Sequence, residues 1–215
     1  MESHAPLSIL TLTEARDALL AGRLLLYPTE TLYGLGCDAL NPDAAAGVFY
    51  VKRRSLRLPL PVVVNSPEML ERAAYTSPAA RRLMDAFWPG PLTIVLPARK
   101  EVPDLLTGRM RRVAVRFSPH PAARELCRVL GGPIVASSAN ISGMPAVAKR
   151  EELDPELIAG VAGLYASGSE PAGGLPSTVV DVHENRGGNS IRILRRGAVS
   201  QEDLRLAGFS SIEFP

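Results

Sequence analysis

Residues 133–146 read PIVASSANISGMPA, and within this stretch the chain changes from apolar residues to small polar ones. The apolar run 134–136 predicts a short buried strand, and small hydroxyl and amide side chains follow it at Ser137, Ser138 and Asn140. Such side chains suit a ligand site at the carboxyl end of a strand, because they let a ligand approach the backbone and bind phosphate or sugar oxygens. A plain Ser/Asn/Gly turn is the alternative, and this segment alone favours neither.

The composition is typical of a globular protein. The chain has 215 residues, 46% hydrophobic and 21% charged, enough for one large domain or two small ones. Cys37 and Cys127 are too few for a disulfide framework and are expected to be buried free thiols, and three scattered histidines predict no metal site. Because we find neither a signal peptide nor an apolar run of membrane-spanning length, we expect a soluble cytoplasmic protein without membrane contact.

A dense basic cluster lies in residues 51–60, VKRRSLRLPL. Lys52, Arg53, Arg54 and Arg57 fall within six residues without an acid among them, so that an anion or solvent must relieve their repulsion. One interpretation is a polyphosphate site, where arginine makes forked contacts and lysine acts as a compact charge. The other is a solvated helix end, where cations interact favourably with the helix dipole. The net charge of only +2 does not indicate a nucleic-acid-binding protein.

Helical and extended patterns alternate along the chain. Helices are predicted over residues 13–21 (capped by Thr13), 41–52, 67–74, 78–87, 121–130, 154–159 and 200–206. Strands are predicted over residues 24–27, 61–64, 92–96, 113–117, 134–136, 161–166, 178–182 and 191–194. This interleaving favours a single α/β domain over residues 9–200, with a twisted, mostly mixed β-sheet flanked by helices, and a short tail over residues 201–215.

Three further segments place polar residues at the ends of predicted strands. Residues 27–38, YPTETLYGLGCD, present threonines and a glutamate before two flexible glycines, without the spacing of a Walker loop. Residues 176–181, PSTVVD, place short polar side chains at the start of a predicted strand. Residues 194–197, LRRG, place an arginine where a predicted strand ends in a turn. Each is a weak signal alone.

Residues 109–116, RMRRVAVR, carry arginines into a predicted core strand. Alternation along the strand places Arg112, Ala114 and Arg116 on one face. An arginine at the end of a core strand needs a carboxylate partner, which the protein or a ligand can supply.

Together, and in this order, these segments resemble the YrdC-like family of threonylcarbamoyl-AMP synthases. The motifs that carry the resemblance are PTETLYGLG, K-x-R followed by PL, WPGPLT, VRFSPHP, SSANISGMP, PSTVVD and R-x-G. They extend from about residue 12 to residue 199, nearly the whole chain, which is similar to the short, single-domain type of the family. The resemblance implies a twisted α/β sheet around a concave, basic groove.

The resemblance also implies a reaction. Family members join L-threonine, bicarbonate and ATP into threonylcarbamoyl-adenylate and release pyrophosphate, with Mg²⁺ held mainly by the phosphates. A downstream threonylcarbamoyl-transferase complex then uses the product for the t6A modification of tRNAs that read ANN codons. The expected partners are these substrates and that complex, and contact with tRNA or double-stranded RNA stays open.

By the same resemblance, the K-x-R and S-x-N pairs carry the reaction and bind the nucleotide. Lys52 and Arg54 would hold the triphosphate, and Ser138 and Asn140 would meet the phosphates and their metal. Arg195 would add a further nucleotide contact. No metal site made by the protein itself is expected.

The threonine pocket is implied in the same way. Thr31 and Arg116 would hold the substrate threonine, with Arg116 paired to its carboxylate. The backbone near Ala136 and the hydroxyl of Ser177 would complete the pocket.

The chain departs from the family pattern at four positions. Ser55 replaces a usual proline, and Leu58 stands at a nucleotide-contacting position where asparagine is common. Val63 stands where some members have a histidine that approaches threonine, and Ala146 where a serine often contacts the nucleotide. These changes leave the main anion contacts in place.

Two other functions stay open at the level of sequence. A non-catalytic RNA-binding module of the same fold would use the groove for phosphate backbones, but the even charge and the lack of interleaved aromatic residues argue against it. A paralogue could handle another carbamoyl-adenylate, as in the related domain of hydrogenase-maturation carbamoyltransferases. The sequence contains no fused acylphosphatase or zinc-finger segment, which disfavours that alternative.

Overall fold

A computed structural model describes residues 6–108, 110–183 and 190–211. Sequence predictions that concern His4, Arg109 and residues 212–215 fall outside these ranges. The described helices α1–α8 are Leu12–Leu20, Pro42–Val51, Pro67–Ala73, Pro78–Phe87, Asp104–Thr107, Pro121–Leu130, Pro155–Ala159 and Gln201–Leu206. The described strands β1–β10 are Leu25–Pro28, Tyr33–Gly36, Val62–Val64, Leu92–Pro97, Arg112–Phe117, Ile134–Val135, Ser137–Ser138, Thr178–His183, Ser190–Arg195 and Ser210–Ser211.

Two sheets form the scaffold. The larger sheet has seven strands in the order β10-β9-β8-β4-β5-β3-β6. It is mixed, because β4 pairs parallel to β8 and β3 parallel to β5, whereas β4 and β5 are antiparallel. The smaller sheet is antiparallel, in the order β1-β2-β7. The predicted mixed α/β fold is confirmed, but its strands divide between two sheets rather than forming one.

The segment that follows α6 crosses from the larger sheet to the smaller one. Strand β6 pairs with β3, and two residues later β7 pairs with β2. At the crossing, the Val135 N–H donates to the Cys37 carbonyl at 2.9 Å and the Ala136 N–H donates to the Pro61 carbonyl at 2.8 Å. The crossing therefore satisfies its buried backbone groups from both sides, and it places Ser137 and Ser138 at the junction of the sheets.

The buried ring of Tyr27 supports this crossing. Its hydroxyl donates to the Val135 carbonyl at 3.0 Å, and burial raises the pKa of Tyr27. The ring lies across the smaller sheet, so that a Cβ on Gly34 would be only 3.0 Å from it. A Cβ on Gly36 would be 2.6 Å from the Val135 carbonyl oxygen. Both glycines are thus required by close packing rather than by a left-handed backbone.

Two local predictions were wrong, and one strand was not predicted. Residues 33–36, where the sequence analysis noted only two flexible glycines, form strand β2, because the neighbouring ring and carbonyl fill the space of the missing side chains. Residues 161–166 form no strand; Leu164 makes isolated bridges to Ile9 and Leu26, because Gly163 breaks the extended conformation with a φ of 153°. Helix α1 is capped by Thr11 and not by Thr13, since Glu14 completes a capping box with Thr11.

The core and the helix starts follow the sequence more closely. Asn41 caps α2 by accepting hydrogen bonds from the N–H groups of Asp43 and Ala44, at 3.0 and 3.1 Å. Both cysteines are buried free thiols as predicted, and burial raises the pKa of Cys127 to about 12. Among the described residues, no helix has the length and apolar character needed to cross a membrane.

Replacing Gly36 with alanine is expected to lower the free energy of unfolding by about 1–3 kcal/mol, the usual cost of overpacking a core. The new methyl group would push against the Val135 carbonyl and force the sheets apart at the crossing. Gly132→Ala is the matched control, because the nearest atom to its Cβ is 4.0 Å away. Urea unfolding measures both variants, and equal small changes in the two would contradict this account.

Candidate active site

One pocket of about 100 Å³ is lined by residues from both sheets. The segments that reach it are far apart in the sequence, from the loop after β1 to the end of β9. Seven residues predicted from the sequence line it: Thr31, Arg54, Arg116, Ala136, Ser138, Ser177 and Arg195. The tertiary structure therefore unites most of the predicted nucleotide and threonine contacts.

Arg116 lies in β5 with only 7% of its surface exposed. Its Nη1 donates to Glu30 Oε1 at 2.9 Å and lies 3.5 Å from Thr31 Oγ1. Ser118 Oγ donates to the other carboxylate oxygen of Glu30 and accepts the N–H of His120 at 3.2 Å. The protein thus supplies one carboxylate partner for Arg116, while Arg116 still lines the pocket.

Arg195 lies at the end of β9 and is held against Ser177. Its Nε and Nη2 donate to the Ser177 carbonyl at 3.2 and 2.8 Å, and Nη2 also donates to Ser177 Oγ at 3.0 Å. Ser177 Oγ in turn lies 2.9 Å from the hydroxyl of Thr93. A predicted nucleotide contact and a predicted threonine contact are therefore directly bonded to one another.

Arg54 is held by the turn that follows it. Its Nε donates to the Leu58 carbonyl at 3.0 Å, and its Nη2 donates to the Pro59 carbonyl at 3.1 Å. The side chain of Leu58 is 53% exposed and does not line the pocket. Leu58 thus contacts the site through its carbonyl, a group that any residue at this position would supply.

Arginines are the charged side chains that line the pocket among the described residues. The residues that line it, all in the described part of the chain, include three arginines and no carboxylate. Loss of hydration, followed by the charges of Arg116 and Arg54, lowers the pKa of Arg195, and loss of hydration lowers the pKa of Arg54. Because arginine stays protonated in proteins, these shifts express the cost of removing charged groups from water and, for Arg195, a repulsion from its neighbours, both of which an anionic ligand would offset.

Lys52 is buried at the end of α2, with 1% of its surface exposed. Its ammonium donates hydrogen bonds to the carbonyls of Ser138 and Asn140, and to Asn140 Oδ1 at 3.3 Å. Burial, and then the charge of Arg54, lowers the pKa of Lys52 to about 8. The interpretation of the basic cluster as a solvated helix end is therefore wrong for Lys52.

Asn140 does not line the pocket and acts behind it. Its Oδ1 accepts from Ser138 Oγ and from Lys52, and its Nδ2 donates to the carbonyls of Ile141 and Met144 at 2.9 and 2.6 Å. These bonds fix the turn after β7. Of the predicted K-x-R and S-x-N pairs, Arg54 and Ser138 line the pocket, and Lys52 and Asn140 bond to Ser138 from behind.

The remaining departures from the family pattern also lie outside the pocket. Val63 is fully buried in β3, where it pairs with Arg116, and Ala146 is partly buried. Neither residue lines the pocket.

A wider groove of about 920 Å³ adjoins the pocket on the same sheet face. The predicted alternation in β5 holds there, since Arg112 and Ala114 line the groove and Arg116 lines the pocket. Arg112 donates to the Val95 carbonyl at 2.9 Å and forms an ion pair with Asp181. The groove is also lined by Leu56, Arg57, Pro59, Thr107, Gly108, Met110, Val179, Arg192 and Leu194.

Among the residues that sequence reasoning missed, two bond directly to predicted residues of the site. Glu30 holds Arg116, and Thr93 bonds to Ser177. Both stand inside quoted motifs, PTETLYGLG and WPGPLT, but neither motif indicates which side chain its polar residue will meet. Those contacts join residues 86 and 84 positions apart.

A family model matches this chain. The Sua5_yciO_yrdC model, described as telomere recombination, matches residues 17–197. A threonylcarbamoyl-AMP synthase of Xylella fastidiosa (strain M23) is 36% identical over 187 residues, which is 86% of this chain and 98% of that protein. One from Stenotrophomonas maltophilia (strain K279a) is 41% identical over 152 residues, 69% of this chain and 82% of that protein.

A solved structure shares the fold. The crystal structure of Pyrococcus abyssi Sua5 complexed with L-threonine has a TM-score of 0.82 and 35% sequence identity, and covers 93% of this chain. The present chain spans 58% of the length of that protein.

The side chain of Lys52 is expected to titrate at about pH 8, below its usual 10.5, because burial disfavours the ammonium. The chain has three lysines, so NMR of ¹³C-labelled lysine resolves each one, and the exposed Lys100 and Lys149 serve as internal references. Pyrophosphate should raise the midpoint of Lys52 alone. A midpoint near 10.5 without ligand would mean that the carbonyls of Ser138 and Asn140 outweigh the loss of hydration.

Proposed function

The chain belongs to the Sua5/YciO/YrdC family, and we propose that it synthesises L-threonylcarbamoyl-adenylate from L-threonine, bicarbonate and ATP, releasing pyrophosphate. The observation that carries this proposal is the pocket itself. Three arginines line it together with the hydroxyl-bearing residues Thr31, Ser138 and Ser177, and no carboxylate of the described residues does so. Relatives of nearly the same length are named threonylcarbamoyl-AMP synthases.

The chemistry needs alignment and charge neutralisation more than a protein nucleophile. The amine of threonine captures carbon dioxide derived from bicarbonate and releases a proton, which leaves a carbamate. A carbamate oxygen then attacks the α-phosphorus of ATP, and the bond to the β-phosphate oxygen breaks. Negative charge accumulates on the phosphoryl group and on the pyrophosphate, and fixed guanidinium groups stabilise it without reorganising.

The amino-acid half of the substrate would lie against Arg116. Glu30 fixes one side of the guanidinium, and the group still faces the pocket. A forked contact to the substrate carboxylate would give it orientation as well as affinity. Thr31, Ser177 and the backbone near Ala136 would complete the contacts. The relative solved with L-threonine supports an amino acid in this fold.

The nucleotide half would extend from the pocket into the wider groove. Arg54 and Arg195 would bind the phosphates, together with the hydroxyl of Ser138. Lys52 would add its charge from below and, with Asn140, hold Ser138 in place. The ribose and base would occupy the groove beyond Leu58, where apolar side chains and the Arg112–Asp181 pair are exposed to a ligand.

Magnesium would enter with the nucleotide, as part of the substrate. Among the described residues, no group of three or more His, Cys, Asp and Glu side chains could hold a metal ion. Magnesium keeps several waters and binds readily to phosphate oxygens, so MgATP fits a site that offers hydroxyls and cations. The ion would neutralise charge on the phosphates.

The product would pass to a downstream threonylcarbamoyl-transferase complex that forms t6A in tRNAs reading ANN codons. We place this reaction in the cytoplasm, where ATP, threonine and tRNA meet. Any contact with tRNA or double-stranded RNA would involve the exposed arginines of the groove, such as Arg57 and Arg192.

The purified protein is expected to release pyrophosphate from MgATP only when both bicarbonate and threonine are present. An enzyme-coupled phosphate assay measures the rate with threonine, with serine and with no amino acid. Release with another amino acid alone would keep the adenylate chemistry and change the substrate. No release from folded protein would overturn the proposal, and salt-sensitive RNA binding would be measured next.

Two arginine substitutions should separate the halves of the site. Arg116→Lys keeps the charge but loses the fork, so it is expected to raise the KM for threonine about tenfold and leave that for ATP nearly unchanged. Arg54→Lys is expected to raise the KM for ATP about tenfold and to leave that for threonine nearly unchanged. The control is Arg53→Lys, because Arg53 is exposed and pairs with Glu156 outside both the pocket and the groove. If either test variant raised the KM for threonine and the KM for ATP equally, the assignment would be contradicted.

A further inference from the structure

Thr93 and Ser177 form a hydroxyl pair in the wall of the pocket. Their Oγ atoms lie 2.9 Å apart, with 3% and 6% of the two residues exposed. Thr93 lies in β4 and Ser177 immediately precedes β8, the parallel neighbour of β4. Both residues line the pocket, so the pair is fixed by the central strands of the larger sheet.

A count of donors shows what this pair can offer. Two hydroxyls carry two O–H protons. Arg195 Nη2 donates to Ser177 Oγ at 3.0 Å, and an arginine cannot accept a hydrogen bond in return. One O–H is used between the two hydroxyls. Among the hydrogen bonds of the described residues, the other O–H has no acceptor, whichever hydroxyl carries it.

A buried donor without an acceptor is costly, and a ligand can remove that cost. Both hydroxyls border the pocket, so the remaining O–H is available to a bound molecule. The guanidinium group of Arg195 bonds to Ser177, Arg54 and Arg116 line the same pocket, and these cations favour a negatively charged acceptor. The site is therefore suited to an anionic oxygen.

We propose that Thr93 is a positioning residue that acts through Ser177: by donating to Ser177 Oγ, it directs the Ser177 O–H towards an anionic oxygen of the amino-acid substrate. That oxygen belongs to the carboxylate of threonine or to the carbamate formed from it. Because Ser177 Oγ also accepts from Arg195, the pair links the amino-acid contact to a nucleotide contact. The inference rests on the proposed function and adds a residue to it.

Thr93→Val removes the hydroxyl with little change of shape. It is expected to raise the KM for threonine about tenfold, the loss of one hydrogen bond to a charged group, and to leave the KM for ATP within about twofold. Thr93→Ser keeps a hydroxyl and should restore most of the affinity. Pyrophosphate release at varied threonine measures both, and an unchanged KM in Thr93→Val would overturn the proposal.

Thr178→Val is the matched structural control. Thr178 is also a buried threonine next to Ser177, but its hydroxyl donates to the Val199 carbonyl at 2.6 Å and lies outside the pocket. Its loss should lower the melting temperature and the active fraction without changing the KM for threonine. If Thr93→Val behaved like Thr178→Val, Thr93 would be structural. Should Thr93→Val fail to fold, Thr93→Ala carries the same comparison.

A double-mutant cycle tests whether Thr93 acts through Ser177. If Thr93 acts through Ser177, Thr93→Val should raise the KM no further in a Ser177→Ala background. If the double variant raised the KM for threonine by the product of the two separate increases, Thr93 would act independently of Ser177. That result would overturn the inference. Failure of the proposed function has a different signature, because the wild-type protein would then release no pyrophosphate in response to threonine.

Discussion

The transfer of the chain from one sheet to the other at Ala136 is the constraint on which the site depends. The backbone N–H groups of Val135 and Ala136 donate to two different neighbours, the carbonyls of Cys37 and Pro61. The hydroxyl of Tyr27 holds the Val135 carbonyl at the same place. A strand at the junction of two sheets must form the hydrogen bonds of its backbone groups with both sheets. The positions of Ser137 and Ser138 are therefore closely fixed.

Repulsion between the arginines of the pocket is a second constraint on the site. Arg54, Arg116 and Arg195 would separate if they were mobile, but carbonyls and a carboxylate of the protein hold each of them. Lys52 adds a buried ammonium close behind, bonded to the turn that carries Ser138. The fold thus bears an electrostatic cost in the absence of ligand, and a polyanion would relieve it. Preorganised cations of this kind stabilise charge that develops during phosphoryl transfer.

Seven residues that line the pocket could be predicted from the sequence, because their motifs match a family whose contacts are known by type. The position of Lys52 could not be predicted, since a basic run on a helix end is usually solvated and nothing local shows that residues 138–140 cover it. Glu30 and Thr93 were missed for the same reason: each meets its partner across more than 80 residues of chain.

The sequence by itself determined most of the alternation of strands and helices, the cap of α2 at Asn41 and the set of polar and basic residues available for chemistry. Those properties follow from local periodicity, proline and capping residues, which act within a few positions. Only the tertiary structure decided which hydroxyls and arginines share a pocket, which of them are buried, and that the strands form two sheets. These outcomes depend on contacts between distant segments, where packing around Tyr27 and Gly36 selects one arrangement.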